Sequence, residues 1–190
     1  DPGLKTLYAR EWPPTPDELA SYREPPLAAG ERDVRAAVKA AGYDGADDGR
    51  IMRFLARMWT KRQPNTAEIH ALTNVAMAAT YDPDPKALNG FRVPFHLETG
   101  ERLPERWRRW LRHDPVNLVA RYAANLRTLR GLFIDCGWRD QYRIHYGSRL
   151  LSLRLTEHRV PHVYEEFDGT HSGVDYRMER SLPFLTHALR

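Results

Sequence analysis

"GLFIDCG", residues 131–137, is the stretch whose reading decides the fold. It is a short apolar run of β-type residues closed off by glycines, which reads as a buried strand. Working downstream, "RIHYGSRLLSLRLTEHR" (143–159) carries Leu150, Leu151, Leu153 and Leu155 and reads as a helix. "PHVYEEFDG" (161–169) reads as a second strand, with Val163, Glu165 and Phe167 on one face and Tyr164 and Glu166 on the other. "DYRMERSLPFLTHAL" (175–189) reads as a terminal helix whose ladder Pro183 is expected to interrupt. Residues 131–190 therefore read strand–helix–strand–helix, a parallel pair joined by a crossover helix in an open α/β sheet. Two strands do not make a stable sheet by themselves. Residues 1–130 offer almost no strand candidates, so the expected fold class is α/β with an incomplete parallel sheet.

Upstream, helical patterns dominate. Residues 1–30 are rich in proline and are expected to be extended, apart from a turn of helix around Asp17–Tyr22. "ERDVRAAVKAAG" (31–42) places Val34, Ala37, Val38 and Ala41 at helical spacing, with Gly42 as a stop. "DDGRIMRFLARMWTKR" (47–62) repeats the pattern with Ile51, Phe54, Leu55, Met58 and Trp59. "NTAEIHALTNVAMAATYD" (65–82) opens on Asn65, a good N-cap, and carries Ile69, Leu72, Val75, Ala76 and Ala79. Residues 83–104 read as a loop. A helix then starts at Pro104, and another spans part of 115–130. The expected organisation is a mostly helical cap or insertion over 1–130 and the end of an α/β core over 131–190.

The 190 residues are 42% hydrophobic and 11% aromatic, enough for a domain with a real core and too much for a disordered chain. The net charge of +4 is local. Residues 101–130 hold eight Arg against three acids, whereas 131–190 hold eight of each. Cys136 is the sole cysteine, which excludes an internal disulfide framework and a cysteine-built zinc site and fits a reducing compartment such as the cytoplasm. No apolar run reaches membrane-spanning length. The chain starts without Met, so a truncation or processing point is expected there.

In open α/β sheets, ligand sites lie beyond the carboxyl ends of the strands. The loop after "GLFIDCG" carries Asp140, and the loop after "PHVYEEFDG" carries His171. Adjacent parallel strands bring these loops together. A carboxylate that accepts from an imidazole fixes its tautomer and orientation, and histidine titrates near neutral pH, so the two are candidates for an acid–base pair. Asp135, within the strand, and Asp168, in a turn before glycine, are rival acids.

The stretches "LFIDCGWRDQY", "PHVYEEFDGTHSGVDYR" and "SLPFLTHAL" resemble the C-terminal half of α/β-hydrolase esterases of the group that includes esterase D and enterochelin-esterase-like enzymes. The resemblance covers residues from about 87 to 190; residues 1–86 match only loosely, as a cap. It implies that Asp140 is the triad acid and His171 the triad base, in the order Ser, acid, His. It also implies a small-molecule ester substrate and no cofactor. The sequence departs from that pattern in having no G-x-S-x-G. Its serines are Ser21, Ser148, Ser152, Ser172 and Ser181, and none sits at a strand-to-helix elbow. The expectation is the C-terminal portion of a longer serine esterase, inactive by itself, whose nucleophile lies upstream.

Other features read as structural. Cys136 sits inside a strand, where a thiol is normally inert. "RWRRWLRH" (106–113) interleaves aromatics with arginine, yet Trp107, Trp110 and Leu111 form one apolar face, so an amphipathic helix with its arginines in solvent is expected and nucleic-acid binding is not. The eight histidines show no metal-ligand spacing, and "GYDGADDG" (42–49) lacks a full calcium loop and reads as a turn and helix start. The alternative is a non-enzymatic, mostly helical binding module that uses the basic helix and the tryptophan-rich region.

Overall fold

The computed structural model describes residues 16–21 and 42–190. The expected helix over 31–42 and most of the proline-rich segment lie outside the described residues. The described residues are mixed α/β, 53% helical, with one small parallel sheet of two strands among them. It divides into two compact units, with the boundary between Leu111 and Arg112.

In the unit that ends the chain, α5 (Pro115–Leu126) precedes β1 (Phe133–Gly137), α6 (Ile144–Glu157), β2 (Val163–Phe167) and α7 (Met178–Ala188). Asp114 starts α5: its carboxylate accepts the Val116 N–H at 2.9 Å, and Pro115 at the first helical position forgoes a hydrogen bond it would lack anyway. The α5 face formed by Val119 and Ala123 packs with Leu155 of α6 and with Val160, and Leu126, Leu132, Ile134 and Leu151 close around them. α5 packs on α6 and lies in the same unit as the strands. Arg159, at φ 54°, ends α6 in the left-handed region, and the Val160 N–H turns back to the Leu155 carbonyl at 2.8 Å.

β1 and β2 pair in parallel, with Phe133 opposite Val163 and Gly137 opposite Phe167. Cys136 faces Glu166 across the ladder, so the two strand ends lie level and release their loops side by side. α7 lies against β1, with Phe184 on Phe133 at 5.5 Å between ring centroids. This helix runs through Pro183 without a break. The proline removes one ladder donor, but the surrounding turns stay packed on the strand.

The other unit holds α1 (Pro16–Ser21), α2 (Arg50–Thr60), α3 (Thr66–Tyr81) and α4 (Pro104–Trp110). Asp47 organises the start of α2. Its Oδ1 accepts the N–H groups of Gly49 and Ile51, and its Oδ2 accepts that of Met52 and the Asn89 side chain. Gly45 lies so close to Val93 that an added Cβ would sit 2.3 Å from the Val93 carbonyl, and its φ of 90° also requires glycine. Ile51 and Phe54 of α2 are buried as expected, but Trp59 is 87% exposed. One residue past Met58, it has rotated off the packed face in the last turn.

α3 carries the full capping box: the Asn65 side chain accepts from the Glu68 N–H while the Glu68 carboxylate accepts from the Asn65 N–H. Its buried face is Ala71, Asn74, Val75 and Ala78, whereas the expected Ile69, Leu72, Ala76 and Ala79 are exposed. Apolar residues encircle this helix, so spacing alone does not choose between neighbouring faces. Segment 83–103 is irregular, as expected, yet it buries Phe91, Val93, Phe95 and Leu97, every second residue. α4 buries Trp107 and Trp110, with Tyr81 edge-on to Trp110 at 5.5 Å. Its arginines are not all in solvent. Arg106 and Arg109 both donate to the buried Asp82 carboxylate, at 3.1 and 2.9 Å.

Candidate active site

The site grows out of the two strand ends. Beyond β1 and β2 the ladder continues for two more bonds: the Trp138 N–H donates to the Phe167 carbonyl, and the Arg139 N–H to the Gly169 carbonyl, both at 3.0 Å. The chains approach so closely that a Cβ on Gly137 would lie 2.3 Å from the Gly169 oxygen. Glycine at 137 is what lets the two loops touch.

The β1 loop then folds into a tight turn around Asp140. Its N–H donates to the Gly137 carbonyl, its own carbonyl accepts from the Arg143 N–H, and its Oδ1 accepts the Tyr142 N–H at 2.8 Å. One carboxylate oxygen is thereby used to fix the side chain. The other, Oδ2, lies 3.0 Å from Nδ1 of His171. The carboxylate is 3% exposed and the histidine side chain 48% exposed. A neutral ring that makes this bond to an ionised carboxylate carries its proton on Nδ1. Nε2 is then left as an acceptor, with no hydrogen-bond partner among the described residues. Tyr142 stands edge-on to the imidazole at 4.8 Å, and Gln141 Oε1 accepts the His171 main-chain N–H at 3.1 Å.

Neither rival acid reaches the histidine ring. Asp135 Oδ2 accepts from Arg177 Nε at 2.8 Å; Arg177 also donates to Glu165 at 2.7 Å and lies over the Phe167 ring at 4.5 Å. Arg177 thus joins the two strands on the α7 side, and its partners hold it charged. Asp168 pairs with Arg139 at 2.5 Å.

On the α6 side, Glu166 is held by Arg149 in two hydrogen bonds of 2.5 and 2.7 Å, and that pairing lowers its pKa to about 2. Burial pushes the Cys136 thiol up, and the thiol donates to the Gly137 carbonyl at 3.7 Å. A buried, protonated thiol is a poor nucleophile.

Sequence reasoning missed the roles of five residues. Gln141 and Tyr142 follow Asp140, and only the loop geometry shows that they contact His171. Arg177 is 42 residues from Asp135, with no local signal linking them. Ser152 Oγ lies 2.8 Å from His162 Nε2, and His162 Nδ1 lies 2.9 Å from the Val160 carbonyl. That pair sits at the amino end of β2, with a neutral carbonyl where a triad has a carboxylate. Among the described residues no group of three His, Cys, Asp or Glu side chains is arranged to hold a metal ion. No helix of the described residues is long and apolar enough to cross a membrane. The chain matches no family model, and no curated protein matches it.

Proposed function

We propose that Asp140 and His171 are the acid and base of a serine carboxylic-ester hydrolase, and that residues 131–190 form the C-terminal end of its α/β-hydrolase core. The single observation that carries this reading is the 3.0 Å contact between Asp140 Oδ2 and His171 Nδ1, made across the carboxyl ends of adjacent parallel strands. Such a pair leaves Nε2 free to take a proton from a nucleophile. In the proposed reaction His171 removes the serine proton as the hydroxyl attacks the ester carbonyl, then returns it to the leaving alkoxide. Asp140 holds the tautomer and stabilises the imidazolium in both half-reactions. In this reading the nucleophile comes from a G-x-S-x-G elbow outside these 190 residues, since the sequence holds no such motif. The substrate is a small-molecule ester, and the reaction needs no cofactor.

The test uses the reading frame extended upstream, which is expected to encode further strands and the elbow. The extended chain should hydrolyse p-nitrophenyl esters. Asp140→Asn should lower kcat by a factor on the order of 10⁴, as when a triad carboxylate is lost. Full activity in that variant would sink the assignment. The 190-residue chain alone should hydrolyse the same esters no faster than buffer. Turnover by this chain that disappears in Ser152→Ala would relocate the chemistry to the Ser152–His162 pair.

A further inference from the structure

We infer that Gln141 is a positioning residue for His171, acting through its side-chain carbonyl; this rests on the acid–base reading above. Gln141 Oε1 accepts the His171 main-chain N–H at 3.1 Å, while the neighbouring Asp140 engages the ring of the same histidine at 3.0 Å. Two successive residues of the β1 loop therefore hold one residue of the β2 loop at two points, one on the backbone and one on the imidazole.

Each bond removes a freedom that the other leaves. With only the ring bond, the His171 backbone can swing while Nδ1 stays on the carboxylate. With only the backbone bond, the side chain can turn to another rotamer. The second anchor matters because the ladder has run out. The last main-chain bond between the loops joins Arg139 to Gly169, and His171 lies two residues beyond it. The other hydrogen bonds of this stretch are local, between Thr170 and Ser172, and Gly173 follows in the left-handed region at φ 68°. The His171 N–H is a donor, so its partner must present an acceptor at glutamine's reach. Glutamate does so, and methionine of similar length does not. Gln141 is exposed, so replacing it leaves no cavity.

Nuclear magnetic resonance on the full 190-residue chain tests this without requiring turnover. The readouts are the exchange rate of the His171 amide and the ring-nitrogen shifts that report the tautomer of neutral His171. Gln141→Met should speed exchange of that amide and shift the tautomer ratio away from Nδ1–H, each by about fivefold, the size expected for one lost hydrogen bond. Gln141→Glu should restore both. Parent values in Gln141→Met, or a Gln141→Glu chain no better than Gln141→Met, would overturn the inference. Asp140→Asn separates it from the underlying reading: the Nδ1–H tautomer should be lost while amide protection persists. An unchanged tautomer in Asp140→Asn, beside the expected Gln141→Met effects, would defeat the acid–base reading and leave the Gln141 anchor standing.

Discussion

Three carboxylates near the strand ends carry the same chemistry and do different work, and their partners decide which. Asp140 spends one oxygen on its own turn and the other on His171. Asp135 is committed to Arg177, so Asp135→Asn should weaken a bond between a strand and the residue that leads into the C-terminal helix. We expect a stability loss of about 1–3 kcal/mol by urea titration and no change in the His171 tautomer. Glu166 sets an acid limit. Arg149 lowers its folded pKa from the ordinary 4.5 to about 2, so its ionised form favours the folded state. That stabilisation is complete above 4.5 and is lost as the pH falls through about 2. Glu165, lowered by Arg180 and Arg177, acts in the same sense. Acid titration monitored by circular dichroism should show stability declining below pH 4.5, and Glu166→Gln should flatten that decline. An equally steep decline in the variant would refute the assignment.

Among the elements, α3 and the paired strand ends show how a local rule meets its neighbours. The Asn65 capping box closes the first turn of α3 with two reciprocal bonds, so Asn65→Ala should cost about 1 kcal/mol in a thermal or denaturant melt. On α2, Phe54→Ala should cost about 3–5 kcal/mol because Phe54 is fully buried, whereas Trp59→Ala should stay within about 0.5 kcal/mol of the parent. Equal costs for these two would mean that α2 is rotated from the face described above. At the strand ends, Gly137→Ala would drive a Cβ into the Gly169 carbonyl, backbone that cannot yield without moving the His171 loop. That variant should lose the Nδ1–H tautomer of His171 even though it changes the side chain of neither member of the pair.

At the scale of the molecule, the sheet is smaller than the apolar surface laid out for it. Among the described residues β1 and β2 pair only with each other, so the main-chain groups of Phe133 and Asp135 face an open edge of β1. On α7, Ser181, Phe184 and Ala188 turn inward, while Met178, Leu182 and Leu189 are more than half exposed. An open strand beside exposed leucines favours association. The 190-residue chain should bind 8-anilinonaphthalene-1-sulfonate and sediment as more than a monomer, and Leu182→Glu with Leu189→Glu should reduce both. A monomer that binds no dye would count against this account.

The sequence by itself determined the strand–helix–strand–helix order of residues 131–190, the parallel pairing and the meeting of the Asp140 and His171 loops. Those features follow from short-range pattern and from the handedness of a crossover connection. It also specified the cap at Asn65, a local bond between near neighbours, and the helix start at Pro104, whose fixed φ suits a first turn. Only the tertiary structure decided which face of α3 is buried, that Trp59 lies in solvent, and that α5 packs with the strands. Those outcomes depend on surfaces distant in sequence competing for one core. It alone placed Arg177 between Asp135 and Glu165, Arg106 and Arg109 on Asp82, and Gln141 on the His171 amide. A charged or amide side chain selects its partner by distance and desolvation, and neither is written in the spacing of residues along the chain.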